Sequence, residues 1–503
     1  MNLRSLTRNA IANGVSLAIR IVISYLLTPF LINYLGKERY GVWMILVTFT
    51  LSGSLSFFSF GFQGALIKYV AEHFTLKQFN KLNEVFSATL LFYAGTGLAC
   101  AFAVVLFGRF FLSDVFAIPA EEIPTARTVM YIFALMVIFE LPTLAVSAII
   151  EGLQRYDLLA LLDVGRLLLF FAVVIVVLYT GRGLEAIAFA MLFSTVAYGV
   201  SMLFLAKKLV PTCAIVIGGD KSTLRELFVL TRDLFIIRVN SLIYNNMDKM
   251  IIGVILSTTF VTDYDIANRI HALALTVMGL APSVVLPAAS AFDAANDTER
   301  TKQLLLKGSK YSTAMTIPFV IGLFILSESL IKFWISPQYA YIALYARLFL
   351  AYMLFWPVIQ VGWNMLVGVN KVKSIVPLQT ISVGVNLVVS IVLVHYVGVA
   401  GTMIGTVVAN LLIFFAYLRL ITNTFGVTLG EFVRTVVLPA YSLGAVLALL
   451  LYLATSMAPA ESLIQVGAYI LISLLLYYSA FYVFCIAADE RDRFRGIFRK
   501  IRK

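Results

Sequence analysis

The sequence predicts an all-α polytopic membrane protein of about 14 transmembrane helices, on three observations. Its 503 residues are 61% hydrophobic and 13% charged, with a mean hydropathy of +0.96, more apolar than a water-soluble fold of this length carries. Apolar runs of roughly 20 residues recur about fourteen times, each long enough to cross about 30 Å of hydrocarbon. The runs are continuous rather than alternating, which favours helices, since an open sheet edge cannot be left in lipid.

In chain order the expected spans are 10–34, 41–62, 85–108, 127–150, 160–180, 185–206, 233–256, 264–288, 311–331, 343–368, 374–396, 399–420, 435–455 and 463–487. The first follows Arg4 and Arg8 but is too long for a signal-peptide core and lacks a small-residue cleavage site, so it reads as an uncleaved span. Orientation follows from the loops. With the N-terminus inside, roughly 26 of the 38 basic residues fall on the cytoplasmic side and about 6 outside. The inside set includes Lys77, Lys81, Lys207, Lys208, Lys302, Lys307, Lys371, Lys373 and the tail RDRFRGIFRKIRK; the outside set includes Asp114, Glu122 and Asp263. An even number of spans returns the C-terminus to the cytoplasm, where the tail anchors the topology and meets anionic lipid headgroups.

The net charge of +12 is strung between apolar runs rather than gathered in a patch, which excludes nucleic acid as a partner. Cys100, Cys213 and Cys485 have neither metal-type nor CxxC spacing, so no disulfide framework and no metal site is expected. No hydrophilic stretch is long enough for a soluble catalytic domain. No GxxxxGK[ST] loop occurs, so the chain is not expected to be an enzyme that hydrolyses ATP.

An internal repeat emerges when the halves are compared. GLQRYDLLALLDVGRLLLF, from Gly152, resembles GVNKVKSIVPLQTISVGVNLV, from Gly368: a glycine, a short basic turn and a new span. About thirty residues later GRGLEAIAFAMLFSTV resembles YVGVAGTMIGTVVANL; earlier, the YLGKERYG turn after span one resembles the ILSTTFVTDYD turn after span seven, at a slightly larger offset. The expected organisation is a six-span copy over 1–208, a linker over 209–232, a second six-span copy over 233–421, two extra spans over 422–488 and a basic tail over 489–503. Parallel repeats of this kind commonly build transporters, with the substrate site between them near the bilayer midplane.

Intramembrane charge is the main pointer to a site. Asn13, Ser16, Arg20, Ser24 and Thr28 share about a third of the first helix's circumference. An Arg at a helix centre costs about 2.5–3.5 kcal/mol on insertion scales, which points to a cavity wall or a structural pair. Thr48, Ser52, Ser56, Ser59 and Gln63 repeat the pattern in the second span, where helix packing by small residues is the bland alternative. The seventh span places Arg238, Asn245 and Lys249 within about 40° of one another, with Asp248 adjoining. In the eighth, Asp265 stands one turn from Arg269 and can neutralise it; His271 follows. Arg166 and Arg347 lie near helix ends, where snorkelling competes with a functional role, and His395 is expected at the interface. Glu140 and Asp248 are the main acids at depth. Because cations predominate, the expected chamber repels cations and offers Arg contacts to phosphate or carboxylate. Pro29, Pro142, Pro282, Pro287, Pro318, Pro357 and Pro377 are expected to kink helices that bend, or to reflect the ordinary frequency of Pro in membrane helices.

The PFLINYLGKERYGVW turn, the EGLQRYDL turn, the block NNMDKMIIGVILSTTFVTDYDIANRI and the VGVNKVK turn, in that order and spacing, resemble the polysaccharide transporters of the multidrug/oligosaccharidyl-lipid/polysaccharide exporter superfamily. The resemblance implies two six-helix lobes in a V shape plus two C-terminal helices. It implies flipping of undecaprenyl-pyrophosphate-linked oligosaccharide, an O-antigen or exopolysaccharide repeat unit, across the bacterial cytoplasmic membrane by alternating access. Coupling to an H+ or Na+ gradient and contact with other polysaccharide assembly proteins are implied as well. On this reading Arg20, Arg238, Lys249, Arg269, Arg166, Asn245, Asn13 and Gln63 contact the substrate, and Asp248 and Glu140 couple an ion or serve as counter-ions. Lipid II flippases share the charge logic. A cation-coupled drug exporter would need acids on the first and seventh helices, of which only Asp248 is present. A membrane glycan polymerase or ligase would need a sizeable external loop or domain, and none is present.

Overall fold

The structure is a computed structural model that describes residues 3–51, 53–59, 62–212, 214, 216, 239–244, 246–280, 282–487 and 490–491. Among these residues there is no strand. The principal helices are α1 (Leu3–Val47), α2 (Phe62–Thr75), α3 (Phe79–Phe110), α4 (Ile123–Gly152), α5 (Tyr156–Tyr179), α6 (Leu184–Leu209), α7 (Thr258–Leu280), α8 (Pro282–Ala294), α9 (Thr298–Trp334), α10 (Ala343–Ala351), α11 (Pro357–Gly368), α12 (Val372–Val397), α13 (Ala400–Thr424), α14 (Leu438–Met457) and α15 (Leu463–Phe484). The described part holds 11 helices long and apolar enough to cross a membrane, or 12 if Pro337–Leu354 and Pro357–Gly368, bent by 57°, form one span. The protein is a multi-pass membrane protein. Large apolar side chains such as Phe204 (73% exposed) and Leu412 (62%) point outward, where only a hydrocarbon solvent removes their cost.

Two of the fourteen expected spans are not found as continuous helices among the described residues. The seventh expected span lies only partly among the described residues. The second is broken: helical geometry ends at Val47, a turn leads into a 3-10 segment at Ser54–Ser59, and α2 resumes at Phe62. The Thr48 hydroxyl donates to the Ile45 carbonyl (2.6 Å) and the Thr50 hydroxyl to the Val47 carbonyl (2.8 Å); each carbonyl also accepts the same residue's N–H (3.0 and 3.2 Å), so tight three-residue turns with hydroxyl support replace the helical ladder. The stripe expected from Thr48 to Gln63 is therefore not one helical face. Ser52 lies outside the described residues, and Gln63 belongs to the next helix. Gly36, at φ 76°, ends the first span within α1 and turns the chain toward the second. Pro282 and Pro357 begin helices rather than kink them, while Pro29, Pro142, Pro287, Pro318 and Pro377 are interior.

The repeat is visible in backbone geometry. Gln154 and Asn370 both sit at φ 57°, and in each turn three successive N–H groups return to carbonyls four, three and five residues back. Lys77 and Asn296 (φ 56° and 52°) repeat the same three-bond pattern after the preceding helix, and Gly181 and Gly398 (φ 72° and 61°) match in positive φ and spacing though not in that bond pattern. Each pair is separated by 216 to 219 residues. Four of these six positions lack a glycine, so the left-handed conformation is held by the turn's hydrogen bonds rather than by absence of a side chain.

By packing, the chain divides into a unit spanning Met1–Thr262 and a unit spanning Asp263–Lys503, a division that falls beyond the expected linker at 209–232. In the first unit the segment that ends in the first turn of α7 packs on the N-terminal half: the Ala117 N–H donates to the Gly253 carbonyl (3.0 Å) and the Thr262 hydroxyl to the Lys37 carbonyl (2.6 Å). In the second, α12 and α13 meet at Gly401, where an added Cβ would lie 2.5 Å from the Leu393 backbone, and a buried polar seam (Asn386 to Thr406, 2.9 Å) crosses beside it. Asp263, expected in an external loop, is instead buried, accepting from the Tyr341 hydroxyl (2.9 Å).

The end of α15 is tied to α9. Glu490 receives Lys307 Nζ (2.8 Å) and the Tyr311 hydroxyl (2.7 Å), and Lys310 Nζ donates to the Cys485 carbonyl (2.5 Å). Burial pushes the Glu490 carboxyl up, but the Lys307 and Tyr311 hydrogen bonds and the nearby ammonium charges outweigh it and hold the group below its ordinary range. Its stabilising contribution is therefore present above the ordinary carboxylate value of about 4.3 and lost as pH falls through the lower folded value. Glu490→Gln is expected to lower the thermal unfolding midpoint of the purified chain at pH 7 and to flatten its dependence on pH below about 4.5.

Candidate functional site

A polar cavity of about 200 Å³ lies inside the first unit, lined by Leu51, Glu140, Thr143, Leu144, Ser147, Arg166, Thr195 and Tyr198. Three helices and the broken second span build it. On α4, Glu140, Thr143, Ser147 and Glu151 recur at helical spacing, with Leu144 beside them, and make one polar stripe along the otherwise apolar C-terminal half of the helix. Pro142, lacking an N–H, interrupts the backbone ladder within that stripe. α5 contributes Asp163 and Arg166, and α6 contributes Thr195 and Tyr198. The break in the second span frees the Leu51 N–H to reach Glu140 Oε2 (3.4 Å) and places Gln63 at the start of α2.

The contacts form two connected groups. Arg166 Nη2 donates to Glu140 Oε1 (3.1 Å) and to the Thr195 hydroxyl (3.3 Å), and its guanidinium lies 5.3 Å from the centre of the Tyr198 ring. The Tyr198 hydroxyl donates to Asp163 Oδ1 (2.7 Å). Lower on α4, Gln63 Nε2 donates to the Ser147 hydroxyl (3.1 Å) and to Glu151 Oε1 (2.7 Å). Among the described residues the region thus holds three carboxylates, Glu140, Glu151 and Asp163, and one guanidinium. That reverses the expected excess of cations, at least around this cavity. One repeat later, at an offset of 216 or 217, the corresponding positions are Trp356, Gln379, Ser382, Leu412 and Phe415. None of these five positions in the second copy is charged.

Arg166 was expected near a helix end, within reach of headgroups. It lies ten residues into α5, about 15 Å from that helix's start, and turns inward to Glu140, so snorkelling does not describe it. Arg269 is held by Asp265 (Nε to Oδ2, 2.8 Å), and His271 is buried against Tyr352 (2.6 Å) and stacked on Phe349. Arg347 reaches Glu328 (3.6 Å) and Ser327 (3.1 Å). His395, expected at the interface, is exposed and bonds its own helix at Ile391. Asp248 is buried and Lys249 half-buried, each with a partner. Arg238 and Asn245 lie outside the described residues. Arg20 and Asn13 are exposed on α1, whereas Ser16 and Thr28 are buried, so the expected polar stripe divides between two environments. No hydrogen bond or ion pair engages Arg20 among the described residues. Sequence reasoning passed over Asp163, Glu151, Thr195 and Tyr198. The signal for the first was a carboxylate one turn before Arg166 inside an apolar run.

The sequence profile of a family described as polysaccharide biosynthesis protein matches residues 31–344, more than half the chain. The chain belongs to that family. No curated protein matches it significantly in sequence. Among solved structures, this polysaccharide biosynthesis protein is similar to the lipid II flippase MurJ in an inward closed conformation, at 15% identity and TM-score 0.73, over 94% of this chain and 98% of the other. It is also similar to an inward-facing multidrug resistance MATE family transporter of the MOP superfamily, at 14% identity and TM-score 0.65, over 84% and 98%. A third is a MOP superfamily transporter from Pyrococcus furiosus, at 14% identity and TM-score 0.56, over 84% and 95%. These likenesses carry the fold alone. Among the described residues of this family member, no group of three or more His, Cys, Asp or Glu side chains is placed to hold a metal ion.

Proposed function

We propose that this protein is a flippase that moves undecaprenyl-pyrophosphate-linked oligosaccharide, an O-antigen or exopolysaccharide unit, across the bacterial cytoplasmic membrane by alternating access, with both termini cytoplasmic. The observation that carries this reading is the family match over residues 31–344 in a chain with the fold of a lipid-linked precursor flippase. A charged cavity inside an apolar bundle supports it, because ionisable groups at membrane depth are costly and are kept where a substrate or ion uses them. Arg20, Arg238 and Lys249 serve as anion contacts, and Glu140 and Asp248 couple transport to an H+ or Na+ gradient. The three carboxylates near Arg166 favour the proton or sodium coupling that a multidrug exporter would share.

A deletion strain tests the reading. It is expected to lose surface glycan and to accumulate the complete lipid-linked repeat unit on the cytoplasmic leaflet. Accumulated lipid II would indicate the peptidoglycan precursor instead, accumulation of single units on the outer leaflet a polymerase or ligase, and drug sensitivity with normal glycan a multidrug exporter.

A further inference from the structure

In the cavity of the first unit, a carboxylate of the protein occupies the place at Arg166 that an anionic ligand would take. Both hydrogen bonds of the guanidinium among the described residues, to Glu140 and to Thr195, leave from the single nitrogen Nη2. A guanidinium has five N–H donors in a rigid fork. Nε–H and the two Nη1–H donors have no partner among the described residues, although the side chain is only 27% exposed. The plane is held in position from its face by the Tyr198 ring, which Asp163 fixes through the phenol hydroxyl. The result is a pre-set fork with three unused donors, in which each bidentate edge shares Nη2 with Glu140 and Thr195, so an anion that bridges two nitrogens must displace one of them. The adjoining cavity, about 200 Å³, has room for a polar group equal in volume to about six waters.

An oxyanion on those donors would stand close to Glu140, with Asp163 and Glu151 adding negative charge from α5 and from the end of α4; among the described residues the broken second span contributes the neutral Leu51 N–H and α2 the neutral Gln63. Two like charges a few ångströms apart in a poorly solvated site repel strongly. A proton taken from solvent by Glu140 removes the repulsion and turns the carboxyl from an acceptor into a donor toward the same oxyanion. No covalent bond forms or breaks: one proton and one anion enter, and the Glu140–Arg166 ion pair opens.

We infer that Arg166 anchors a lipid-borne phosphate or pyrophosphate, and that Glu140 is an exchangeable internal anion whose protonation and the binding of that phosphate favour each other. Linkage makes the effect reciprocal. The inference rests on the flippase reading for the identity of the cargo, not for the existence of the site.

The test is calorimetric titration of the full chain in nanodiscs with inorganic pyrophosphate, in buffers of different ionisation heat. Binding by the wild-type protein is expected to strengthen as pH falls and to take up more protons than binding by Glu140→Gln. At pH 8, Glu140→Gln is expected to bind about tenfold tighter than wild type. Adding Arg166→Gln to Glu140→Gln is expected to abolish binding without leaving a carboxylate unpaired. Should Glu140→Gln fail to fold, Glu140→Asp, which withdraws the carboxylate by one methylene, is expected to tighten binding in the same direction. Discs carrying polyprenyl phosphate are expected to suppress the pyrophosphate heat, and unchanged heat would overturn the assignment to a lipid-borne anion. Equal affinity in the single and double variants would overturn Arg166 as the anchor. Proton uptake unchanged in Glu140→Gln would overturn the exchange. If binding follows the expectation while the deletion strain keeps its surface glycan, the site stands and the flippase reading falls.

Discussion

Arg166→Ala is expected to abolish surface glycan and to destabilise the protein by about 3 kcal/mol, the lower end of the cost of removing one partner from a buried ion pair. The loss comes from what is left behind. Glu140 is 7% exposed at its side chain and keeps only the long Leu51 N–H contact once the guanidinium is gone. Tyr198 loses the cation on its ring face, though its hydroxyl remains on Asp163. Replacing both partners separates the two effects. Arg166→Met with Glu140→Leu is expected to recover most of the thermal stability in detergent, because no orphaned charge remains, while export stays absent. Recovery of export in the double variant would show that the pair is only structural. A single variant as stable as wild type would show that the cavity's water satisfies Glu140 without Arg166.

Hydropathy made the helical fold legible because the bilayer demands long apolar runs, and the repeat was legible because GLQRY and GVNKV each follow a helix with a short polar turn. The left-handed backbone at Gln154 was not, since glutamine carries no preference for it and the three turn hydrogen bonds that hold it are read only from coordinates. The break in the second span was hidden for a related reason. TFTLSGSLSFFSFGFQG is apolar enough to count as a span, and transfer energy does not report whether Thr48 and Thr50 turn back on their own helix. At the site, Glu140 and Gln63 stood out as polar groups in apolar runs. Their partners did not. Glu140 and Arg166 are 26 residues apart on different helices, and helical periodicity places residues on a face of one helix without saying which face of another it meets. Tyr198 and Thr195 have compositions ordinary for membrane helices, so only their placement under and beside Arg166 marks them.

Arg20 offers the opposite case, a charge on α1 with no protein partner among the described residues. Arg20→Ala is expected to leave thermal stability within about 0.5 kcal/mol of wild type, as for substitutions at exposed positions that engage no neighbour. Export is expected to fall by at least tenfold, the equivalent of losing one charge-assisted hydrogen bond of about 1.5–3 kcal/mol to the anionic carrier. The reasoning turns on cost: an arginine at the centre of a membrane span carries an insertion penalty of about 2.5–3.5 kcal/mol, and in α1 no carboxylate offsets it. Arg20→Lys keeps the charge but not the planar fork, so it is expected to restore export only in part if the contact is bidentate. Two measurements decide the matter, initial rates of surface glycan appearance after induction and unfolding midpoints of the purified variants. Full export by Arg20→Ala would remove the first helix from the substrate path, leaving the Arg166 cavity as the sole cationic contact in the first unit with a geometric argument behind it.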